Sequence, residues 1–247
     1  MCTVVVLRRP GHARWPLLLA ANRDERTDRP WDAPGRHWPG AVAGRDRLAG
    51  GTWMALSDTG VVAAVLNRPG SLGPAAGKRS RGELPLLAAV GARDAGEAAA
   101  RVAALDAGAY RTFNLVLADG SGAALFARGL GVGRPEVSPL PEGISMITAH
   151  DPNDAAASPR VRRHLPRLRA APTPDPDADD WRAWEAALAD AGGDEPGDAL
   201  RVPPTDGFGT VCSSLLALGP GGRAVWRFAA GPPGEVPFEA VDLRAAS

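Results

Sequence analysis

Lysine is almost missing: Lys78 is the only one in 247 residues, so arginine carries nearly all the basic charge. That bias is read first as GC-rich coding rather than function. The 28 basic and 28 acidic residues cancel, so no global field draws the chain to nucleic acid or to an anionic membrane surface. There are only two cysteines, Cys2 and Cys212. Two are too few for a disulfide framework, and a reducing compartment is the expectation. Long apolar runs are missing as well, and no segment approaches the roughly 20 residues of a membrane-spanning helix. Arg8-Arg9 precedes an apolar stretch, but residues 16–21 are too short for a signal-peptide core and residues 22–29 are heavily charged. These absences predict a soluble, cytoplasmic protein with no nucleic-acid partner and no transmembrane segment. Its length suits a sizeable core, and residues 1–247 are read as one domain.

Familiar site motifs are missing too. Gly129-Leu130-Gly131-Val132-Gly133 has neither the spacing nor the βαβ context of a dinucleotide loop. Gly77-Lys78 runs into Arg79 and has no glycine five residues earlier, so it is not a phosphate loop. The four histidines, His12, His37, His150 and His164, lack metal-ligand spacing, and no metal is expected. Arg160, Arg162, Arg163, Arg167 and Arg169 make a basic stretch that reads as a solvated helix face, with an anionic ligand as the lesser reading.

What is present is concentrated in the first 25 residues. Cys2 follows the initiator methionine and opens a β-branched run. A turn-rich stretch comes next, then a second apolar run over residues 15–21 that ends in Asn22-Arg23-Asp24-Glu25. Two short apolar runs around Pro10-Gly11 predict a β-hairpin, which returns Asp24 to the end where Cys2 sits. Methionine is usually trimmed before a small residue such as cysteine. Cys2 would then carry an α-amine of pKa roughly 8 next to a thiol of about 8.5. One residue supplies nucleophile and base, and Asp24 holds or orients the amine. The competing reading makes Cys2 a small hydrophobe at the start of an edge strand.

Further along, residues 26–47 are rich in Pro, Gly, Trp and charge and read as a long ordered loop. Hairpins are expected at residues 54–66, 113–128 and 211–229, and a short strand at 144–149. Alanine- and leucine-rich spacing predicts helices over 81–90 and 95–107. Another is expected over 158–170, interrupted or kinked at Pro166, and one over 181–191. Without regular βαβ alternation the pattern favours antiparallel sheets covered by helices, an α+β layered fold. Residues 61–66 are apolar on both faces and should lie between two layers.

Met1-Cys2, Asn22-Arg23-Asp24-Glu25, Gly50-Gly51-Thr52-Trp53, Arg81-Gly82-Glu83, Phe113-Asn114-Leu115 and Gly209-Thr210 occur in that order. Together they resemble the NRDE family, named for the tetrapeptide, whose animal member is known as a transport and Golgi organisation protein. More distantly the chain is similar to the choloylglycine hydrolases and penicillin V acylases, N-terminal-nucleophile amidohydrolases. That likeness implies a four-layer αββα sandwich of antiparallel sheets. It rests on Met1-Cys2-Thr3, on Asn22-Arg23-Asp24, and on the turn at Asp58-Thr59-Gly60 leading to Leu66-Asn67-Arg68-Pro69-Gly70.

The hydrolase likeness implies Cys2 as nucleophile, Asp24 as the residue orienting its amine, and Asn67 as a backbone oxyanion donor. The family's second donor, an asparagine, falls at Thr148-Ala149-His150-Asp151-Pro152, where His150 is the stand-in. Ala21 replaces one family arginine, and none stands near Val211-Cys212-Ser213 where another is expected. Asn22, Arg23, Glu25, Trp53 and Asn114 are read as substrate-binding. Two functions remain open. One is a cysteine amidohydrolase for a small amide or N-acyl substrate, with no cofactor. The other is a carrier of haem or of acyl-lipid or acyl-CoA cargo, since the NRDE family is linked to haem trafficking and acyl-lipid handling.

Overall fold

The computed structural model describes residues 2–193 and 195–244; Met1, whose removal the sequence predicts, lies outside them. In chain order the elements begin with β1 (Thr3–Arg8), β2 (Leu17–Arg26), β3 (Trp31–Trp38), β4 (Ala41–Asp46), β5 (Met54–Ser57) and β6 (Val61–Asn67). Then follow α1 (Leu84–Ala89), α2 (Ala95–Ala103), β7 (Phe113–Asp119), β8 (Ala124–Gly129), β9 (Glu136–Pro139) and β10 (Gly143–Ile147). The last are α3 (Pro159–Ala170), α4 (Arg182–Leu188), β11 (Phe208–Leu218), β12 (Ala224–Ala229) and β13 (Glu239–Ala240).

The strands form two antiparallel sheets, in the orders β10-β1-β2-β11-β12-β13 and β3-β4-β5-β6-β7-β8-β9. Alternation along the strands explains the layering. Val4, Val6, Leu17 and Leu19 meet Val62, Ala64, Leu66 and Val116 in a core between the sheets. Val5, Leu18, Ala20 and Leu215 face outward and are covered by Val161, Leu165, Trp184 and Leu188 of α3 and α4. Val61, Ala63, Leu115 and Leu117 are covered in the same way by α1 and α2. The four layers are helix, sheet, sheet, helix, as the resemblance to the N-terminal-nucleophile hydrolases implies.

Residues 26–47 are not a loop: they build the hairpin of β3 and β4 at one edge of the second sheet. Pro34, Gly35, Pro39 and Gly40 hide it in the sequence. The edge strand β3 tolerates Pro34 and Gly35, because it needs hydrogen bonds on one side only, and Pro39-Gly40 is the turn of the hairpin. The register shifts twice along the pair. Trp31 and Trp38 end up half-buried. The short exposed strand β9 was not expected either. Helix α3 runs unbroken across Pro166, which sits on the exposed face, where solvent can satisfy the carbonyl it leaves unpaired.

One irregularity positions the site. The pairing of β11 with β2 slips between Thr210 and Cys212, so Thr210 lies opposite Asp24 while Cys212 lies opposite Arg23. Without the bulge at Val211, Thr210 and Cys212 would face the same way. With it, Thr210 turns towards α3 together with Asp24, and Cys212 turns towards the inter-sheet core together with Arg23.

Candidate active site

The pairing of Thr3 with Asn22 sets Cys2 level with Arg23, with the Cys2 thiol against the backbone of Asp24. Asp24 N–H donates to Sγ at 3.4 Å, and Sγ is 3.5 Å from the carbonyl oxygen it donates to. Burial pushes the Cys2 pKa above its ordinary value, and the Asp24 charge pushes it further. At neutral pH Cys2 is therefore a thiol, and attack on a carbonyl requires a base.

The Asp24 carboxylate lies behind this strand, on the α3 side. Its Oδ1 accepts from Thr210 Oγ1 at 2.6 Å, and its Oδ2 accepts from Arg160 Nη1 at 3.2 Å. Arg160 also donates to Thr3 Oγ1 at 2.8 Å. Arg160 is thus a buried site residue, only 6 % exposed, and the reading of the whole basic stretch as a solvated face is wrong for it. The signal was available. At 100° per residue Arg160 shares a stripe with His164 and Leu168, whereas Arg162 and Arg169 fall elsewhere on the helix. Thr210, from the Gly209-Thr210 motif, takes its task from Asp24, its neighbour across the sheet.

Arg23 faces the opposite way, into the end of the inter-sheet space, with its guanidinium 4.3 Å from the Trp53 ring centroid. Its Nη2 is 3.3 Å from Asp46 Oδ2, which also accepts from Arg29 Nε at 2.6 Å. Asp46 Oδ1 takes the N–H groups of Leu48 and Ala49 at 3.1 and 2.9 Å, so one carboxylate ties Arg23 to the loop that leads to Trp53. Glu25 stands 3.7 Å from Arg29 Nε. The two glycine motifs dock directly: Thr52 N–H donates to Gly82 O at 2.7 Å, and a Cβ on Gly51 would lie 2.5 Å from the Gly82 carbonyl carbon. Only glycine permits that approach, and it places Trp53 and Arg81 on one cleft.

That cleft holds about 780 Å³ and is bordered by Cys2, Arg23, Asp24, Glu25, Trp53 and Asn67, six of the nine residues singled out from the sequence. Three others lie elsewhere. Asn22 is buried on the helix side, donating to Leu188 O and Leu200 O at 3.0 and 2.8 Å and accepting from Ser213 Oγ at 2.6 Å. Asn114 is fully buried; its Nδ2 donates to Thr148 O and His150 O at 2.9 and 2.7 Å, and its Oδ1 accepts from Arg68 Nη1 at 2.7 Å. His150 is not among the residues bordering the cleft, nor is any other histidine among the described residues. His164 Nε2 is spent on Asp198 O at 2.8 Å. Among the described residues no group of His, Cys, Asp or Glu is placed to hold a metal, and no helix is long and apolar enough to cross a membrane.

Solved structures share this architecture. An N-acylethanolamine-hydrolyzing acid amidase orthologue of Caenorhabditis elegans superposes with a TM-score of 0.56 at 11% identity, covering 87% of this chain and 92% of its own. Penicillin V acylase from Agrobacterium tumefaciens gives 0.58 at 14%, over 93% and 83%. The C2A mutant of conjugated bile acid hydrolase from Clostridium perfringens gives 0.58 at 12%, over 98% and 92%. At such identities the likeness establishes the N-terminal-nucleophile hydrolase fold and nothing more. A search of curated proteins found no significant match. Residues 1–161, from the Cys2 strand into α3, match the family model described as Transport and Golgi organisation 2, and the chain belongs to that family.

Proposed function

We propose that this protein is a cysteine amidohydrolase acting on a small amide or N-acyl compound through Cys2. The observation that carries the reading is the thiol at the edge of an open cleft, held by the Asp24 backbone, with the Asp24 carboxylate fixed behind it. The thiol needs a base, and no histidine borders the cleft among the described residues. Removal of Met1 supplies one as the Cys2 α-amine. In that sequence Sγ bonds to the amide carbon and its proton passes to the amine. The oxyanion is met by the Asn67 backbone N–H. The C–N bond then breaks as the leaving nitrogen takes that proton from the Cys2 ammonium. Water, deprotonated by the Cys2 α-amine, attacks the thioester, the C–S bond breaks, and Sγ recovers the proton as the acid departs. Two free cysteines suit a reducing cytoplasm.

The test is an acyl-amide panel on protein whose trimming is checked by intact mass. Trimmed protein should turn over at least one amide, and protein retaining Met1 should be slower by about 10²–10⁴-fold, the worth of general acid–base catalysis. Cys2→Ser should lose turnover while still binding substrate. Trimmed protein inert across the panel would overturn the reading.

A carrier is the second reading, favoured by the size of the cleft. Haem fits it poorly: of the cysteines and histidines among the described residues only Cys2 borders the cleft, and its raised pKa disfavours the thiolate that ligation requires. Acyl-lipid or acyl-CoA cargo asks for no such ligand. A haem titration decides between them, since a saturable Soret band lost in Cys2→Ala would restore haem.

A further inference from the structure

The chain is formally neutral, yet one wall of the cleft carries cations that pair with no carboxylate among the described residues. Glu25, which also borders the cleft, acts on Arg81 without forming an ion pair with it. Other arginines bordering the cleft are paired: Arg26 with Asp28, Arg29 with Asp46, Arg79 with Glu83. Arg81 and Arg111 differ. Among the described residues neither has an acidic partner, and neutral groups fix both. Arg81 Nη1 donates to Ser71 Oγ at 2.7 Å and Thr112 O at 2.9 Å, leaving Nε and Nη2 with no hydrogen bond to a described residue. Arg111 donates to the carbonyls of Gly70, Leu72 and Pro74 at 2.5, 2.7 and 3.2 Å. Lys78 at the rim donates to the Gly108 carbonyl.

Two half-buried guanidiniums so placed repel each other. Burial, and then the Arg111 charge, bring the Arg81 pKa down to about 10. Holding them by neutral oxygens rather than carboxylates stiffens both forks without neutralising them. That arrangement costs stability in the empty protein, and an oxyanion shared between the forks reverses the cost through charge-assisted hydrogen bonds. Cys2 borders the same cleft, and negative charge on its sulfur acts on Arg81.

We propose that Arg81 and Arg111, with Lys78 at the rim, bind the anionic group of the ligand, a carboxylate or a phosphate carried by the acyl or amine half of the molecule that reaches Cys2. That this ligand is a substrate rests on the hydrolase reading; the anion site itself does not.

Calorimetric titration of the full chain with inorganic pyrophosphate, and in a parallel arm with succinate, tests it. Saturable binding is expected in at least one arm, and the tighter arm tells phosphate from carboxylate. Arg81→Gln should weaken that binding by about 10-fold or more, equivalent to about 1.4 kcal/mol. Arg81→Lys should restore part of it, and Arg182→Gln, an exposed arginine paired with Asp180, should change nothing. Arg111→Gln should weaken it as well; should that variant unfold through its loop contacts, Arg81→Gln carries the result. No saturable binding in either arm, or binding by Arg81→Gln as tight as wild type, overturns the site. Calorimetry reads the anion site without any turnover, so failure of hydrolysis leaves the anion site standing, and failure of anion binding leaves hydrolysis of uncharged amides standing.

Discussion

Arg160 Nη1 donates to Asp24 Oδ2 at 3.2 Å across 136 residues of sequence, with both side chains buried. The contact joins α3 to β2 directly behind Cys2. It places a guanidinium beside the aspartate in a chain whose sequence lacks the arginines its hydrolase resemblance leads one to expect.

Breaking that pair from one side removes the counter-charge that Asp24 and Arg160 give each other in a buried place. Asp24→Asn and Arg160→Met should each lower stability by about 3–5 kcal/mol, read from urea unfolding curves. The double variant should lose clearly less than the sum of the two. Strict additivity would mean that the two side chains are not coupled.

The thiols should separate by pH. Burial pushes Cys212 up to about 12, and Cys2 is raised from an ordinary value of 9.0. A raised pKa lowers the thiolate fraction at a given pH. Alkylation of Cys2 should therefore be slow at neutral pH and climb with pH, while Cys212 stays protected in the fold. For Cys212 the folded state holds its proton more tightly than the unfolded chain does. Its contribution to stability is present below about pH 9 and fades as pH rises towards 12. Cys212→Ala should flatten that alkaline decline. Both cysteines lie level with Arg23 on opposite sides of β2, so their Cα atoms are about 9–10 Å apart, two strand spacings. That exceeds disulfide reach, and oxidation of folded protein should leave the intact mass without an internal disulfide. Preferential labelling of Cys212 would move the site away from Cys2.

Local pattern made the opening hairpin legible. The β-branched run before Pro10-Gly11 and the return to Asn22-Arg23-Asp24-Glu25 mark the strand pair, and the double-sided strand at residues 61–66 marks a twice-buried one. The order of the four layers was implied by the hydrolase resemblance. The β3–β4 hairpin was not legible, because Pro34 and Gly35 are turn signals that an edge strand overrides by pairing on one side, and only Pro39-Gly40 is the turn itself. Cys2, Asp24 and Arg23 could be found because they are close in sequence. Arg160 was not, because a run of arginines shows its charge and not which member points inward towards a carboxylate 136 residues away. The Val211 bulge, which turns Thr210 to Asp24, leaves no mark in the sequence at all.

Trp53 is held over Arg23 by the absence of a side chain at residue 44. A Cβ on Gly44 would sit 2.2 Å from the Trp53 ring, so Gly44→Ala must displace the indole. Overpacking of this kind costs about 1–3 kcal/mol, and the cation–π contact at 4.3 Å should be lost with it. The measurement is a urea unfolding curve together with tryptophan emission, which should change in the folded state. An unaltered spectrum and midpoint would show that the ring adapts without leaving Arg23.

His150 and Asn114, which the sequence grouped together with the site, should respond differently to substitution. His150 was expected to complete the oxyanion hole, yet its recorded contacts are through the backbone. Its carbonyl accepts from Asn114 Nδ2 at 2.7 Å and its N–H donates to Thr148 Oγ1 at 3.4 Å, and its side chain does not border the cleft. His150→Ala keeps both backbone contacts, so turnover on any amide the protein hydrolyses should stay within about twofold; a true oxyanion donor would cost about 10²–10³-fold. Asn114→Ala should behave differently. It leaves the carbonyls of Thr148 and His150, both held by Asn114 Nδ2, without that donor, at a cost of about 1–3 kcal/mol for each one left unsatisfied. It also frees Arg68 from Asn114 Oδ1, and Arg68 adjoins Asn67 at the cleft. Asn114→Ala should therefore lower the melting temperature first and reduce turnover only as a consequence. Should His150→Ala abolish turnover while the melting temperature holds, the ring must reach the reacting carbonyl when substrate binds.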